Sequence, residues 1–391
     1  MRNAAAVNLL NPAAYSAVRP KSFLFDFGLE GQCFYNSQKY YGQTLNTSYY
    51  TVNFHDIAFQ LPIAKHLGLG FSLTPYSSVG YRMKQEVDDD EIWGNIGRVQ
   101  YQWDGDGDVT EVKLGLGWEI FRGFSIGIAA QYYWGDIQRI YKTAILENIT
   151  GGGLIADATG TETYSVSRFK GQFGVQWSPI SNRRRILTIG ATYDIGGDLN
   201  PNVTTKVQTG DIFNTVAMDM GNRLGLKLPQ QVAVGIYYNK PKIAVGADYV
   251  YQDWRSGNSR LVEKSAAGFD VAYRNTNTVK LGVEYTPNKA DVRSALKRWS
   301  YRAGVRYGTY NQTFGRVDVN EYAVTLGVGI PLTVLGGILG ASSVDLGVEV
   351  GGRGSFKAIN EQVSLVKQTY FKFSLGVTLF GDYWFVRPKY D

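Results

Sequence analysis

Apolar residues alternate with polar or small ones from about Lys21 to the last residues of the chain. A period of two is that of a β-strand whose two faces meet different surroundings. Within 369–380, Phe371, Phe373, Leu375, Val377 and Leu379 share one face, and Lys372, Ser374, Gly376 and Thr378 share the other. Phe124, Ile126, Ile128, Ala130, Tyr132 and Trp134 likewise oppose Ser125, Gly127, Gln131 and Tyr133. Fourteen such segments are found near 21–34, 50–61, 66–76, 110–120, 123–135, 164–177, 185–195, 230–239, 242–253, 277–286, 300–309, 319–330, 342–352 and 368–380. Each has about the 9–11 residues that a tilted strand needs to cross a bilayer, or somewhat more.

Alternation alone leaves open which face is buried, since a soluble sandwich shows the same period with its apolar face inward. Two further patterns favour apolar-out. The polar face carries full charges of both signs, among them Lys113, Glu119, Lys170, Asp248, Glu284, Arg302, Arg306 and Glu349, which a hydrated lumen can hold. The connections also alternate in length. They are short after the second, fourth, sixth and eighth segments (62–65, 121–123, 178–184 and 240–241) and long after the first, third, fifth, seventh and ninth. The expected fold is therefore an all-β transmembrane antiparallel barrel of 14 strands over 21–391. Both termini and the short turns would be periplasmic and the long loops extracellular.

Composition sharpens this. Tyr 27, Phe 19 and Trp 8 suit aromatic girdles at two interfaces, and no apolar run is long enough for a membrane helix. The lone Cys33 excludes an internal disulfide. A net charge of +6 comes without a Lys/Arg-rich helix or stacking platform, so no nucleic-acid partner is expected. Instead charge sorts by connection. Lys65, Arg122, Arg183, Arg184, Arg185, Lys240, Lys242, Lys297 and Arg298 lie on the short-turn side; Asp88–Glu91, Asp104, Asp106 and Asp108 lie on the long-loop side. Met1–Val18 lacks the form of a signal peptide, from which the numbered chain is expected to start inside the mature protein.

Candidate chemistry is sparse. In the second segment the apolar parity slips from Val52 and Phe54 to Ile57, Phe59 and Leu61, and a β-bulge at His55–Asp56 would absorb the shift. In the third, Pro75 cannot donate to a ladder, and Gly68 and Gly70 leave gaps in the packed face, so a wall opening is a candidate there. Asp104-Gly105-Asp106-Gly107-Asp108 opens like a calcium loop, but Val109 and Gly115 stand where that loop requires Gly and Glu. With two histidines and no nucleophile–base pattern, neither an enzyme, a cofactor nor a metal site is expected.

Several segments, in order, resemble the FadL-type outer-membrane transporters of fatty acids and aromatic hydrocarbons, in the form common among Bacteroidota. They are Asn11-Pro12-Ala13, Pro75–Tyr81, Lys113–Gly117, Ala247-Asp248-Tyr249 with Gln252-Asp253-Trp254, Gly282–Asn288, Gly327–Leu332 and Trp384–Asp391. The resemblance implies fourteen strands, an N-terminal hatch in the lumen with 1–20 as its remnant, and ligand exit through a gap at a kinked third strand. It implies contact with outer-membrane lipid and lipopolysaccharide. Two functions follow from it: passive uptake of hydrophobic small molecules, or a scaffold role in outer-membrane protein assembly or secretion, docking other barrels or surface lipoproteins. A continuous apolar lumen with a wall gap would favour uptake. A sealed wall with apolar or aromatic surface beyond the lipid band would favour the scaffold.

Overall fold

The computed structural model describes residues 7–87, 90–95, 97–148, 157–182, 184–199, 201–209, 212–214, 227–258, 263–264, 269–315, 317–332, 342–361 and 363–382. Asp88, Asp89, Arg183 and the motif Trp384–Asp391 lie outside them. Fourteen antiparallel strands form the wall: β1 (Ser22–Tyr40), β2 (Gln43–Ala64), β3 (Leu67–Glu86), β4 (Gly97–Phe121), β5 (Phe124–Asn148), β6 (Ala158–Ser181), β7 (Ile186–Asp194), β8 (Gln230–Asn239), β9 (Ile243–Asp253), β10 (Thr276–Tyr285), β11 (Ser300–Phe314), β12 (Val317–Pro331), β13 (Ser343–Arg353) and β14 (Lys367–Asp382). Each pairs with the next, and β14 closes on β1 from Ser22–Asp382 to Ser37–Lys367. All fourteen expected segments are wall strands.

The outward face is the apolar one. Phe371, Phe373, Leu375 and Leu379 are exposed, whereas Tyr370, Thr378 and Phe380 on the opposite face are buried. The same division runs through β5, where Ile128 and Trp134 are exposed and Ser125, Gln131 and Tyr133 are buried. Outward aromatics gather in two bands. One lies toward the short turns (Trp118, Phe121, Trp177, Tyr285, Tyr301) and one toward the far end (Trp134, Phe169, Tyr307, Tyr322, Phe371). A closed sheet with an apolar belt between two aromatic girdles is the form in which strands can cross a bilayer, because the backbone groups of one strand find partners in the next.

The far end departs from expectation. The first long connection shrinks to the turn Tyr41–Gly42, and most of the third and fifth is strand as well. Strands β4 and β5 have 25 residues each, about 80 Å of extended chain, so more than half of each lies beyond what a crossing requires. Asp104–Asp108 is thus a stretch of β4 paired with β3 and β5, not a loop. The alternating runs here are short and are interrupted by the acidic, glycine-rich 104–108 stretch, which masks the signal that period-two reading depends on.

Charge pairing ties the projection together. Asp104 accepts hydrogen bonds from Arg82 Nε on β3 at 3.1 Å and from Gln102 Nε2 at 2.6 Å, with Lys142 Nζ of β5 at 3.8 Å. Burial opposes the charge, but these hydrogen bonds and the two cations outweigh it and hold the carboxyl below the usual aspartate range. A lowered folded value means stability that is complete above the unfolded value, near pH 4, and lost as pH falls through the folded one. Asp104→Asn should therefore cost the projection up to about 1 kcal/mol at pH 7 and nothing further in acid, read as protease resistance of β3–β5 against pH. In folding titrations into bilayers, Leu375→Arg should destabilise the barrel by roughly 2–4 kcal/mol and the inward Ser374→Arg by much less; equal costs would reverse the face assignment.

Candidate functional site

The lumen is plugged on one side by the N-terminal segment. Residues Pro12–Ala17 form a 3-10 helix whose cap is Asn11, which accepts from the Ala13 N–H at 2.9 Å. The Asn11 amide also donates to Val175 O (3.1 Å) and Ala191 O (3.3 Å), tying the plug to β6 and β7. Ser16 Oγ meets Ser125 Oγ of β5 at 2.9 Å, and Lys113 Nζ of β4 donates to Leu9 O at 3.0 Å. Asn11, Pro12 and Ala13 are all buried in this contact.

The seat of the plug is made of glycine. A methyl group at Gly68 would lie 1.9 Å from Tyr15 O, and one at Gly70 would lie 2.5 Å from the Tyr15 ring. Gly115 and Gly117 of β4, Gly127 of β5 and Gly174 of β6 meet Tyr15, Pro12, Ala13 or Asn11 as closely. Tyr15 itself has no sequence motif to mark it. The visible signal is glycine at inward positions two residues apart, as at 68/70 and 115/117, which leaves a groove where side chains would otherwise fill the lumen.

Gly68 and Gly70 therefore do not open the wall. Their strand pairing is intact, Gly68 with Pro62 and Gly70 with Gln60. The opening begins higher, beside Pro75. β2 and β3 pair from Ala64–Leu67 up to Ile57–Leu73 and then part. Above that point β2 pairs only with β1, and β3 only with β4. The paired stretch of β2, Ile57–Ala64, is shorter than the roughly 9–11 residues of a crossing, so the seam opens within the apolar belt and continues to the far end.

The cause is local. His55 is an extra residue between Asp56, opposite Gly28, and Phe54, opposite Leu29, so the bulge falls at His55–Asp56. On β3, Tyr76 is extra between Pro75, opposite Thr110, and Ser77, opposite Val109. Two bulges at one height throw both edges out of register, and Pro75 has no N–H to donate. Tyr76 packs edge-on against Tyr133, with ring centroids 4.8 Å apart. His55 Nδ1 and Asp56 Oδ1 contact each other, and Gly28 leaves the space they fill.

Charged and amide side chains line much of the remaining lumen. A cavity of about 660 Å³ beside the plug is lined by Glu111, Lys113, Gln131, Gln172, Lys170 and Asp194, among others. Lys113 pairs with Glu111 at 3.4 Å, and Lys170 lies over the Tyr133 ring. Across the barrel Arg302 pairs with Glu284 at 2.9 Å and with Asp345, while Arg306 pairs with Glu349 at 2.9 Å. Lys372 pairs with Glu30 at 2.9 Å. Asp248 faces the cavity over Gly235. Glu119 differs from the other expected lumen charges: it sits at the short-turn rim, holding the Gly123 N–H at 2.8 Å and His66 at 3.0 Å. Glu111, Lys170 and Asp194 face this cavity together, and Asp194 accepts from Gln172 Nε2 at 2.9 Å and Gln231 Nε2 at 3.0 Å.

Gly127→Leu places a side chain where Ala13 N and Pro12 now sit, and should unseat the plug while the barrel still folds. Chymotrypsin cleavage after Tyr15, only 2% exposed in the seated plug, should then appear and bilayer conductance should rise; unchanged protection would contradict the glycine seat.

No curated protein matches this chain. Among solved structures it resembles a FadL homologue of Pseudomonas aeruginosa, with 12% identity over 96% of this chain and 93% of that one and a TM-score of 0.56. The toluene transporter TbuX of Ralstonia pickettii shares 14% identity over 95% and 92% (TM-score 0.54), and the toluene transporter TodX of P. putida 13% over 95% and 92% (TM-score 0.54). At such identity the likeness is one of fold. A family model covers the whole chain, residues 1–391: the protein belongs to the BamG family.

Proposed function

We propose that this chain is a non-transporting barrel subunit of an outer-membrane protein-assembly complex, holding partner barrels or surface lipoproteins with the sheet it raises beyond the bilayer. The observation that carries this reading is the combination of a salt-bridged lumen, occupied on one side by the N-terminal segment, with strands far longer than a crossing needs. A conduit for hydrocarbons lowers the cost of passage with an apolar lining. Here the lining pairs Arg with Glu and Lys with Glu in strand after strand, and a hydrocarbon would have to displace that hydration. The projecting strands β3–β5 instead display Tyr81, Met83, Tyr101 and Tyr141 to the surroundings, the residue types enriched in protein interfaces. The BamG family name points the same way.

One observation favours uptake of hydrophobic molecules: the seam between β2 and β3 opens inside the apolar belt. On the scaffold reading that seam is a contact surface, and the polar groups His55 and Asp56 at its lower end make it a poor hydrocarbon portal. Mild-detergent purification from the native membrane at natural abundance, followed by mass spectrometry, separates the two. The scaffold reading expects a stable assembly with another barrel or with surface lipoproteins, and a lone barrel carrying hydrocarbon or fatty acid would overturn it.

A further inference from the structure

The two edges that part above Ile57 are not alike. From Thr44 to Asp56, β2 has no partner on its β3 side among the described residues. A sheet edge of this length is normally guarded by charge, proline or a bulge, because its free N–H and C=O groups will pair with any extended chain. The β3 edge carries all three guards: Pro75, the bulge at Tyr76, and then Arg82 and Lys84. The β2 edge carries none above its bulge. From Gln43 to Phe54 it has no charged residue and no proline, and its centre is Tyr49-Tyr50-Thr51-Val52, of high strand propensity.

Exposure marks the same place. Tyr50 is 81% and Val52 78% exposed, against 41% for Leu375 on a strand flanked at both sides. A neighbouring strand is what covers such side chains elsewhere in the wall, and here it is missing. The lowest free donor, Phe54 N–H, turns to the side chain of Asn53 at 2.9 Å, which sets the lower limit of the open edge.

We propose that the β2 edge from Thr44 to Asn53 takes an extended segment of a partner polypeptide as an added strand, with apolar side chains outward beside Tyr50 and Val52 and polar ones inward. The inference rests on the assembly reading and names the contact it uses. Only a peptide backbone offers donors and acceptors at the spacing of this edge, so an acyl chain or hydrocarbon would leave its polar groups unpaired, including those from Tyr50 down to Asn53 that enter the apolar belt. A second copy is the poorer occupant, because its wall is closed and β3, paired with β4, already stands across the seam from β2.

The test is amide hydrogen exchange, comparing the purified barrel in nanodiscs with the same chain in the assembly isolated from native membrane. In the assembly, peptides spanning Thr44–Asn53 should exchange roughly tenfold or more slowly, the protection expected of newly made ladder hydrogen bonds. Ser48→Lys with Tyr50→Lys, which guards the edge as β3 is guarded, should abolish that protection and cut partner retention at least tenfold, with heat-modifiable gel mobility confirming a folded barrel. Equal exchange in both states, protection already present in the lone barrel, or full retention by the double lysine variant would each overturn the strand-addition site. A partner that stays bound with β2 unprotected removes this inference alone. Failure of any partner to co-purify removes the assembly reading and this inference with it.

Discussion

A backbone amide left unpaired in hydrocarbon costs several kcal/mol, and the architecture of this chain follows from avoiding that cost. The wall closes, β14 onto β1, because an open sheet would leave two edges in the bilayer. Closure fixes the inward and outward parity of every strand, and parity in turn sends the charges to the lumen and the aromatics to the girdles. The breach between β2 and β3 is accordingly the most consequential local feature. It is held open by two bulges and a proline, and it leaves one edge guarded and one bare.

The lumen obeys the same electrostatic logic. Charges taken from bulk water need partners, and the described lumen supplies them from neighbouring and next-but-one strands: Arg302 with Glu284 and Asp345, Arg306 with Glu349, Lys372 with Glu30. The plug adds a solid wall on the opposite side, seated on glycines that leave room for Tyr15. A fold shared with hydrocarbon transporters has thus been lined with groups that suit salt bridges and water. Fold and cargo are separable properties, and the site rather than the architecture carries the function.

Much of this was legible in the residues. Period-two alternation located all fourteen wall strands, because each has one face in a uniform apolar medium. The parity slip at His55–Asp56 pointed to the place where His55 is now found without an opposite residue. Elsewhere the code was silent for physical reasons. The projecting halves of β3 and β4 carry only short alternating runs, Val79, Tyr81 and Met83 on one and Val99, Tyr101 and Trp103 on the other, and the acidic and glycine-rich 104–108 stretch that follows reads as a loop. Gly68 and Gly70 read as gaps in a wall, but a glycine in a strand signals close approach as readily as weakness, and what approaches is Tyr15, some fifty residues away in sequence. Glu119 has the parity of a lumen charge, yet its position at the strand end assigns it to the turn. The bare β2 edge could not be seen at all, since whether a strand has a neighbour is a property of the register and not of its own residues.

The central claim is that this barrel is a holder of proteins and not a passage for hydrocarbons. Its most direct test is the uptake of labelled toluene and of a labelled long-chain fatty acid by liposomes with and without the purified barrel. The account predicts rates no higher than those of the lipid alone. Saturable uptake that depends on the barrel would contradict it.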